Sequence, residues 1–243
     1  MREIRGKSKK SLASSIAERI RGAIVDAEFL FGENLSEDML AAAFDVSRTP
    51  VREALNILQM QELVHIVPKS GTYVFTPTQE DIAELCDFRV GLEDQAMRLA
   101  LVCNRKKLVS QLKKQYDLMR AAIDDDDLRA YGRCDTEFHL AFFRVCGNRY
   151  LARAYDSILG RVAALRTHLA IGAEGEPARS FADHAVIIEL AEADKPGGEL
   201  REILEAHIMR TKTNYLNAFS RLPRQPGDSR TMRLRRQLSL TNE

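Results

Sequence analysis

The sequence predicts a mainly α protein in two parts: three helices and a β-hairpin over residues 11–76, then an all-helical bundle over residues 77–220. Three observations predict it. Apolar residues recur at helical spacing as far as Leu58, and short β-branched runs then flank Pro68-Lys69-Ser70-Gly71. From Thr78 onwards the helical period returns with no convincing strand.

Ala13, Ile16, Ala17, Ile20, Ala23, Ile24 and Ala27 share one face of a first helix over 12–27. After the turn FLFGEN, Ser36 is a good N-cap, and Glu37 and Asp38 suit the positive end of a second helix that ends near Phe44. Asp45-Val46 makes a tight turn. Ser47 then caps a third helix with Pro50 in its first turn, where a missing N–H is tolerated, and with Val51, Leu55 and Leu58 inward. Leu63 to Val67 and Thr72 to Phe75 form a two-stranded hairpin. Three helices followed by a hairpin is the order of a winged helix-turn-helix.

Thr76-Pro77 marks a domain boundary, and Thr78 with Asp81 forms a capping box. Helical segments follow at 81–102, 106–124, 127–146, 149–170, 179–193 and 198–220, broken at Gly147-Asn148, Gly172 to Pro177 and Pro196-Gly197-Gly198. This is a helical bundle. Asp124 to Asp127 lacks the spacing of a calcium loop and reads as an inter-helix turn whose last member caps the next helix. Residues 1–10 form a basic N-terminal arm. Residues 221–243 carry Arg230, Arg233, Arg235 and Arg236 with little to bury, as expected of a mobile tail.

Of the 243 residues, 45% are hydrophobic and 29% charged, too apolar for disorder and too polar for a membrane protein. The longest apolar run, Met39 to Phe44, is far short of a span, and no signal peptide is evident, so a cytoplasmic protein without a membrane partner is expected. Cys86, Cys103, Cys134 and Cys146 lie far apart and read as small core residues in a reducing compartment. Net charge is +1, and residues 1–76 carry ten basic and ten acidic side chains. A DNA surface must therefore be a local arrangement of cations.

The third helix supplies one. With its apolar residues inward, Arg48, Thr49, Arg52 and Asn56 share the opposite face, at the end that helix-turn-helix proteins push into the major groove. Arginine there can donate two hydrogen bonds to guanine, and Thr or Asn can reach other base edges. Lys69, Ser70 and Gly71 at the hairpin tip could follow the DNA backbone or reach the minor groove. The bland alternative pairs Arg48 and Arg52 with Glu53 or Asp45 on a solvated face.

The run LSEDMLAAAFDVSRTPVREALNILQMQELVHIVPKSGTYV, Leu35 to Val74 without a gap, resembles the winged helix of GntR-family bacterial repressors. The resemblance implies that Arg48, Thr49, Arg52 and Gly71 occupy DNA-contacting positions. One departure is Gln61-Glu62, where that family usually has an acidic residue and then glycine before the wing.

In the bundle, Leu128, Tyr131, Asp135, Phe138, Phe142 and Val145 form a stripe with a carboxylate in its middle, and His139 is one turn from Asp135. His184 lies between Phe181 and Ile188, and His207 among Ile203, Leu204 and Ile208. An inward carboxylate needs a partner. One Asp and three neutral imidazoles could bind a divalent transition metal, Zn²⁺ at roughly 2.0–2.2 Å per bond or alternatively Ni²⁺. Taken singly, a histidine on such a stripe is more often a hydrogen-bonded core residue than a ligand. On another stripe, Ile82, Leu85, Arg89, Leu92, Ala96, Leu99, the cation Arg89 could meet an organic acid or simply Glu93. Arg166, near Val162 and Leu169, is a second candidate for the acid. Asn148 reads as a helix cap.

Asp135-Thr136-Glu137-Phe138-His139, then Gly147-Asn148, Asp183-His184 and His207, is similar to the FCD effector domain of the FadR subfamily of GntR regulators, over roughly Thr78 to Phe219. The resemblance implies a metal on Asp135, His139, His184 and His207, an effector that is not an acyl-CoA, and an arginine beside the ligand. The expected function is a homodimeric, DNA-binding repressor answering to a small carboxylate. Two other readings are a metal-dependent hydrolase, for which no nucleophile motif, P-loop or dinucleotide fingerprint appears, and a regulator for which the ion itself is the signal.

Overall fold

The computed structural model describes residues 11–170, 176–193 and 198–221, so the arm at 1–10 and the arginines expected in a tail lie outside the described residues. Two compact units are present, one holding the elements before Thr76 and the other those after Pro77.

The first unit begins with α1 (Leu12–Val25), which buries Ala13, Ile16, Ala17, Ile20 and Ile24 along one face. It stops two residues earlier than its apolar spacing predicts, because Ala27 turns left-handed (φ 55°) and the amides of Glu28 and Phe29 close on the Ala23 carbonyl. A strand β1 (Asn34–Leu35) leads into α2 (Glu37–Phe44), whose N-cap Ser36 accepts from the Met39 amide. α2 ends at left-handed Asp45, with the Asp45 amide on Ala42 and the Val46 amide on Ala41. That pair of bonds is a Schellman closure, and it makes the tight turn before α3 (Arg48–Met60). Ser47 takes the N-cap position of α3 in extended conformation but makes no side-chain cap bond, contrary to expectation. Val51, Ala54, Leu55 and Leu58 are fully buried.

α3 ends in a second Schellman closure. The Glu62 amide bonds to Gln59 and the Leu63 amide to Leu58, with Glu62 itself left-handed at φ 55°. This is the departure from the family pattern noted above, and it leaves the turn intact. Gln61 Oε1 also accepts from Nε and Nη2 of Arg21 at 3.1 and 2.8 Å, tying the turn to α1.

The hairpin is β2 (Val64–Val67) against β3 (Gly71–Val74), paired from Val64↔Val74 to Val67↔Gly71. β1 adds a third antiparallel strand on the other side of β3, with Leu35 opposite Thr72. The sequence reading missed β1, since two residues cannot show an alternation. At the tip Lys69 is left-handed (φ 60°) and Gly71 sits at φ 141°, where a Cβ would lie 2.6 Å from Asn34 Nδ2. A glycine suits that position on both counts.

The second unit is all helix among its described residues. α4 (Gln79–Asp124) starts with the Thr78–Asp81 capping box. It runs through the predicted break at 103–105 as a kink at Asn104 (φ −162°, ψ 78°), whose side chain caps the Lys107 amide. Then come α5 (Leu128–Val145), capped by Asp127, α6 (Arg149–Ala170), α7 (Glu176–Glu192) and α8 (Gly198–Arg221). α8 therefore includes Arg221, which the sequence assigned to the tail. Asn148 caps the start of α6 through the amides of Tyr150 and Leu151. Leu128 is 40% exposed, so the α5 stripe is buried only from Tyr131 onwards. All four cysteines are free; Cys86 and Cys146 are buried, but Cys134 is half-buried and Cys103 exposed beside the kink, so the core reading holds for two of them. Among the described residues no helix is long and apolar enough to cross a membrane.

Candidate functional site

α5 carries Asp135 and His139 one turn apart on the face it buries, α7 brings in His184, and α8 brings in His207. These are the four side chains singled out from the sequence, and all four are buried. One ligand atom from each lies within 4.8 Å of the others. Donors bound at roughly 2.1 Å to one ion stand at most about 4.2 Å apart, so the cluster must contract by at least about 0.6 Å to hold one. His184 Nε2 is 3.2 Å from Asp135 Oδ1, and His139 Nε2 is 3.9 Å from it.

The chemistry of these atoms fits a cation. Asp135 Oδ1, His139 Nε2 and both ring nitrogens of His184 are buried without a hydrogen-bond partner. Two of the imidazoles are turned by carboxylates behind them. His139 Nδ1 lies 2.6 Å from Glu93 Oε2, and His207 Nδ1 lies 3.0 Å from Asp183 Oδ2. An ionised carboxylate only accepts, so Nδ1 carries the proton in each ring and Nε2 keeps its lone pair. That backing is how proteins orient metal-binding histidines. Neither carboxylate was assigned this task from the sequence. Asp183 was seen only as the neighbour of His184, and Glu93 only as a partner for Arg89.

Electrostatics keep the set ready. Burial pushes the His207 imidazole down to about 4, lowers His139, and lowers His184 well below the ordinary value. Burial alone would raise Asp135, yet Arg166 followed by the three imidazoles outweighs it and holds the carboxyl well below its usual range. The Arg166 guanidinium pairs with Asp135 Oδ2 and donates to Thr136 Oγ1 at 2.5 Å. Arg89 is 1% exposed and donates through Nε to Glu93 Oε1 at 2.8 Å, the plain partner foreseen for it, while its Nη2 has no partner. The Tyr155 hydroxyl of α6 donates to the same Glu93 oxygen at 3.0 Å. Both arginines foreseen for an organic acid thus stand beside the cluster, one on Asp135 and one on the carboxylate that backs His139.

In the first unit, Arg48, Thr49, Arg52 and Asn56 are all exposed on the outer face of α3, and Lys69 is exposed at the hairpin tip beside Gly71. The partners of the two arginines differ from the expected Glu53 and Asp45. Arg52 makes a bidentate pair with Glu37, Nε to Oε1 at 3.1 Å and Nη2 to Oε2 at 2.8 Å, and Arg48 pairs with Asp38. Both acids come from the first turn of α2, which the tight turn at Asp45 brings alongside α3.

Comparison with known proteins agrees with this architecture. Residues 12–74 match the model for bacterial regulatory proteins of the gntR family, and residues 84–210 match the FCD domain. The gluconate operon transcriptional repressor of Bacillus subtilis (strain 168) is 31% identical over 151 residues, which cover 62% of this chain and 62% of that repressor. The transcriptional repressor GlaR of Escherichia coli (strain K12) is 25% identical over 157 residues, 60% of this chain and 69% of GlaR. Among solved structures, a transcriptional regulator GntR from Rhodococcus sp. RHA1 superposes with a TM-score of 0.76 at 26% identity, covering 86% of this chain and 99% of that one. With an outer arginine face on α3, a buried Asp/His cluster in the helical unit and both family models matched, the chain belongs to the GntR family of bacterial transcription regulators and carries an FCD domain.

Proposed function

We propose that this regulator is a homodimer that reads operator DNA with α3 and the hairpin tip, and that a small organic acid bound at a metal ion among α4 to α8 controls it. The observation that carries the reading is the buried group of unpartnered acceptors on Asp135, His139 and His184, with His207 beside them, four side chains that make chemical sense together around a cation. Three imidazoles and one carboxylate suit Zn²⁺, and also Ni²⁺. The metal would hold the acid's oxygens, and Arg89 and Arg166 would meet its remaining charge.

On the DNA side, Arg48 and Arg52 would donate to guanine, Thr49 and Asn56 would read neighbouring edges, and Lys69 with the Gly71 backbone would follow phosphates. Winged heads ordinarily read two related half-sites, which supports a symmetric pair. Repression is the sign suggested by relatives named as repressors. The acid controls DNA binding only if it prefers one arrangement of the two heads over the other. The families matched count against the hydrolase reading.

The test is selection of random-sequence duplexes by the full-length protein, with and without Zn²⁺, followed by a panel of small organic acids on the selected site. The expected outcome is an enriched inverted repeat whose affinity changes with an acid only in metal-loaded protein. No enrichment would end the reading, and a response to Zn²⁺ alone would favour the ion as the signal.

A further inference from the structure

Glu93 is shared. Its Oε2 receives the Nδ1–H of His139 at 2.6 Å, and its Oε1 receives Arg89 Nε at 2.8 Å and the Tyr155 hydroxyl at 3.0 Å. Glu93 is 0%, Arg89 1%, His139 0% and Tyr155 0% exposed, so water does not dilute the competition among these donors. The four groups come from α4, α5 and α6, which fixes the carboxylate between a metal-facing imidazole on one side and a buried cation on the other.

We propose that Glu93 is a positioning residue that couples Arg89 to the metal ligand His139, so that neutralising Arg89 tightens the metal. The physical reason is the division of one carboxylate's electron density. Every donor on Oε1 makes Oε2 a weaker acceptor, and a weaker acceptor leaves His139 Nε2 less basic towards a cation. An acid that draws Arg89 away, or offsets its charge, returns that density to His139. By thermodynamic linkage the metal must then tighten the acid by the same factor. The inference rests on the metal reading proposed above and adds to it the route by which acid and ion sense each other.

The experiment needs no effector. Zn²⁺ affinity of the full-length protein is measured by chelator competition in wild type, Arg89→Met, Glu93→Gln and the double variant. Glu93→Gln is expected to weaken Zn²⁺ by about ten- to a hundredfold. Arg89→Met is expected to tighten it by roughly fivefold or more while Glu93 is present, and by less than about twofold in the Glu93→Gln background. A merely structural role for Arg89 would weaken the ion, never tighten it. Should Arg89→Met not fold, Tyr155→Phe removes a donor from the same oxygen at unchanged charge, and a tightening of about two- to threefold that vanishes with Glu93→Gln is expected. Equal effects in both backgrounds, or weakening by Arg89→Met and Tyr155→Phe, would overturn the coupling alone. Wild-type protein that takes up no Zn²⁺, or takes it up equally well with His184→Ala, would overturn the metal reading and the coupling together.

Discussion

Arg166 and Asp135 face each other inside the helical unit, with the guanidinium on Oδ2 and Oδ1 left without a hydrogen-bond partner towards the imidazoles. One carboxylate is thus divided between a permanent cation and an unused lone pair. Arg166 keeps Asp135 ionised in the metal-free cluster.

Arg166→Met should therefore destabilise the metal-free protein by about 3–5 kcal/mol, the usual cost of stranding one member of a buried pair. Saturating Zn²⁺ should restore much of that loss, because the ion gives Asp135 a new cationic partner. Thermal melts with and without Zn²⁺ check it. A loss untouched by metal would mean that Arg166 and the cluster are independent.

Acid should weaken the metal-free protein before it protonates its carboxylates. His139, His184 and His207 all have folded values below the ordinary imidazole value, that of His207 being about 4. The unfolded chain thus takes up protons first as pH falls. Their contribution is complete above about pH 6.5 and is lost as pH falls below it, for His207 down to about pH 4, at up to roughly 1.4 kcal/mol per pH unit for each histidine. Denaturant titrations of chelator-treated protein at pH 7.5, 6.0 and 5.0 read the slope. A flat profile that is unchanged in His207→Gln would contradict it.

Arg52→Ala should lower affinity for a selected operator by about tenfold to a hundredfold, roughly 1–3 kcal/mol, and relax the base preference at one position of each half-site. Lys69→Ala should instead weaken all duplexes alike and reduce the salt slope by about one. Fluorescence anisotropy against matched and mismatched duplexes separates the two. Should Arg52→Ala lower every duplex equally, the arginine is a phosphate contact.

Glu62→Gly should stabilise the first unit by up to about 1 kcal/mol. A left-handed non-glycine residue costs roughly 1–2 kcal/mol, and part of that gain is returned as unfolded-chain entropy. Glu62→Ala keeps the strained backbone and should show no gain. Chemical melts compare the pair, and a Gly variant less stable than the Ala variant would refute the strain argument.

What the sequence revealed was mostly periodicity along a single element. Asp135 and His139 are one turn apart, and His184 and His207 each interrupt an apolar stripe, so each could be picked out within its own helix. That all four face one interior was read from their stripes and strengthened by family resemblance, because no spacing rule fixes distances across helices. The same blindness hid the carboxylates behind the imidazoles, since Glu93 and His139 are 46 residues apart and Asp183 and His207 are 24 apart. It also misassigned the partners of Arg48 and Arg52, where the natural guess was a local acid and the true ones come from α2. β1 is too short to show a pattern. The kink at Asn104 was foreseen as a break, but the helical period resumes directly after it, so α4 continues through it.

If the proposed metal centre is right, Asp135, His139, His184 and His207 enclose one divalent ion. The most direct measurement is anomalous diffraction at the zinc edge from crystals grown with Zn²⁺. The expected result is one peak per chain, about 2.0–2.2 Å from Asp135 Oδ1 and from one nitrogen of each of the three imidazoles. A peak elsewhere, or no peak with these side chains hydrogen-bonded to one another, would contradict the account.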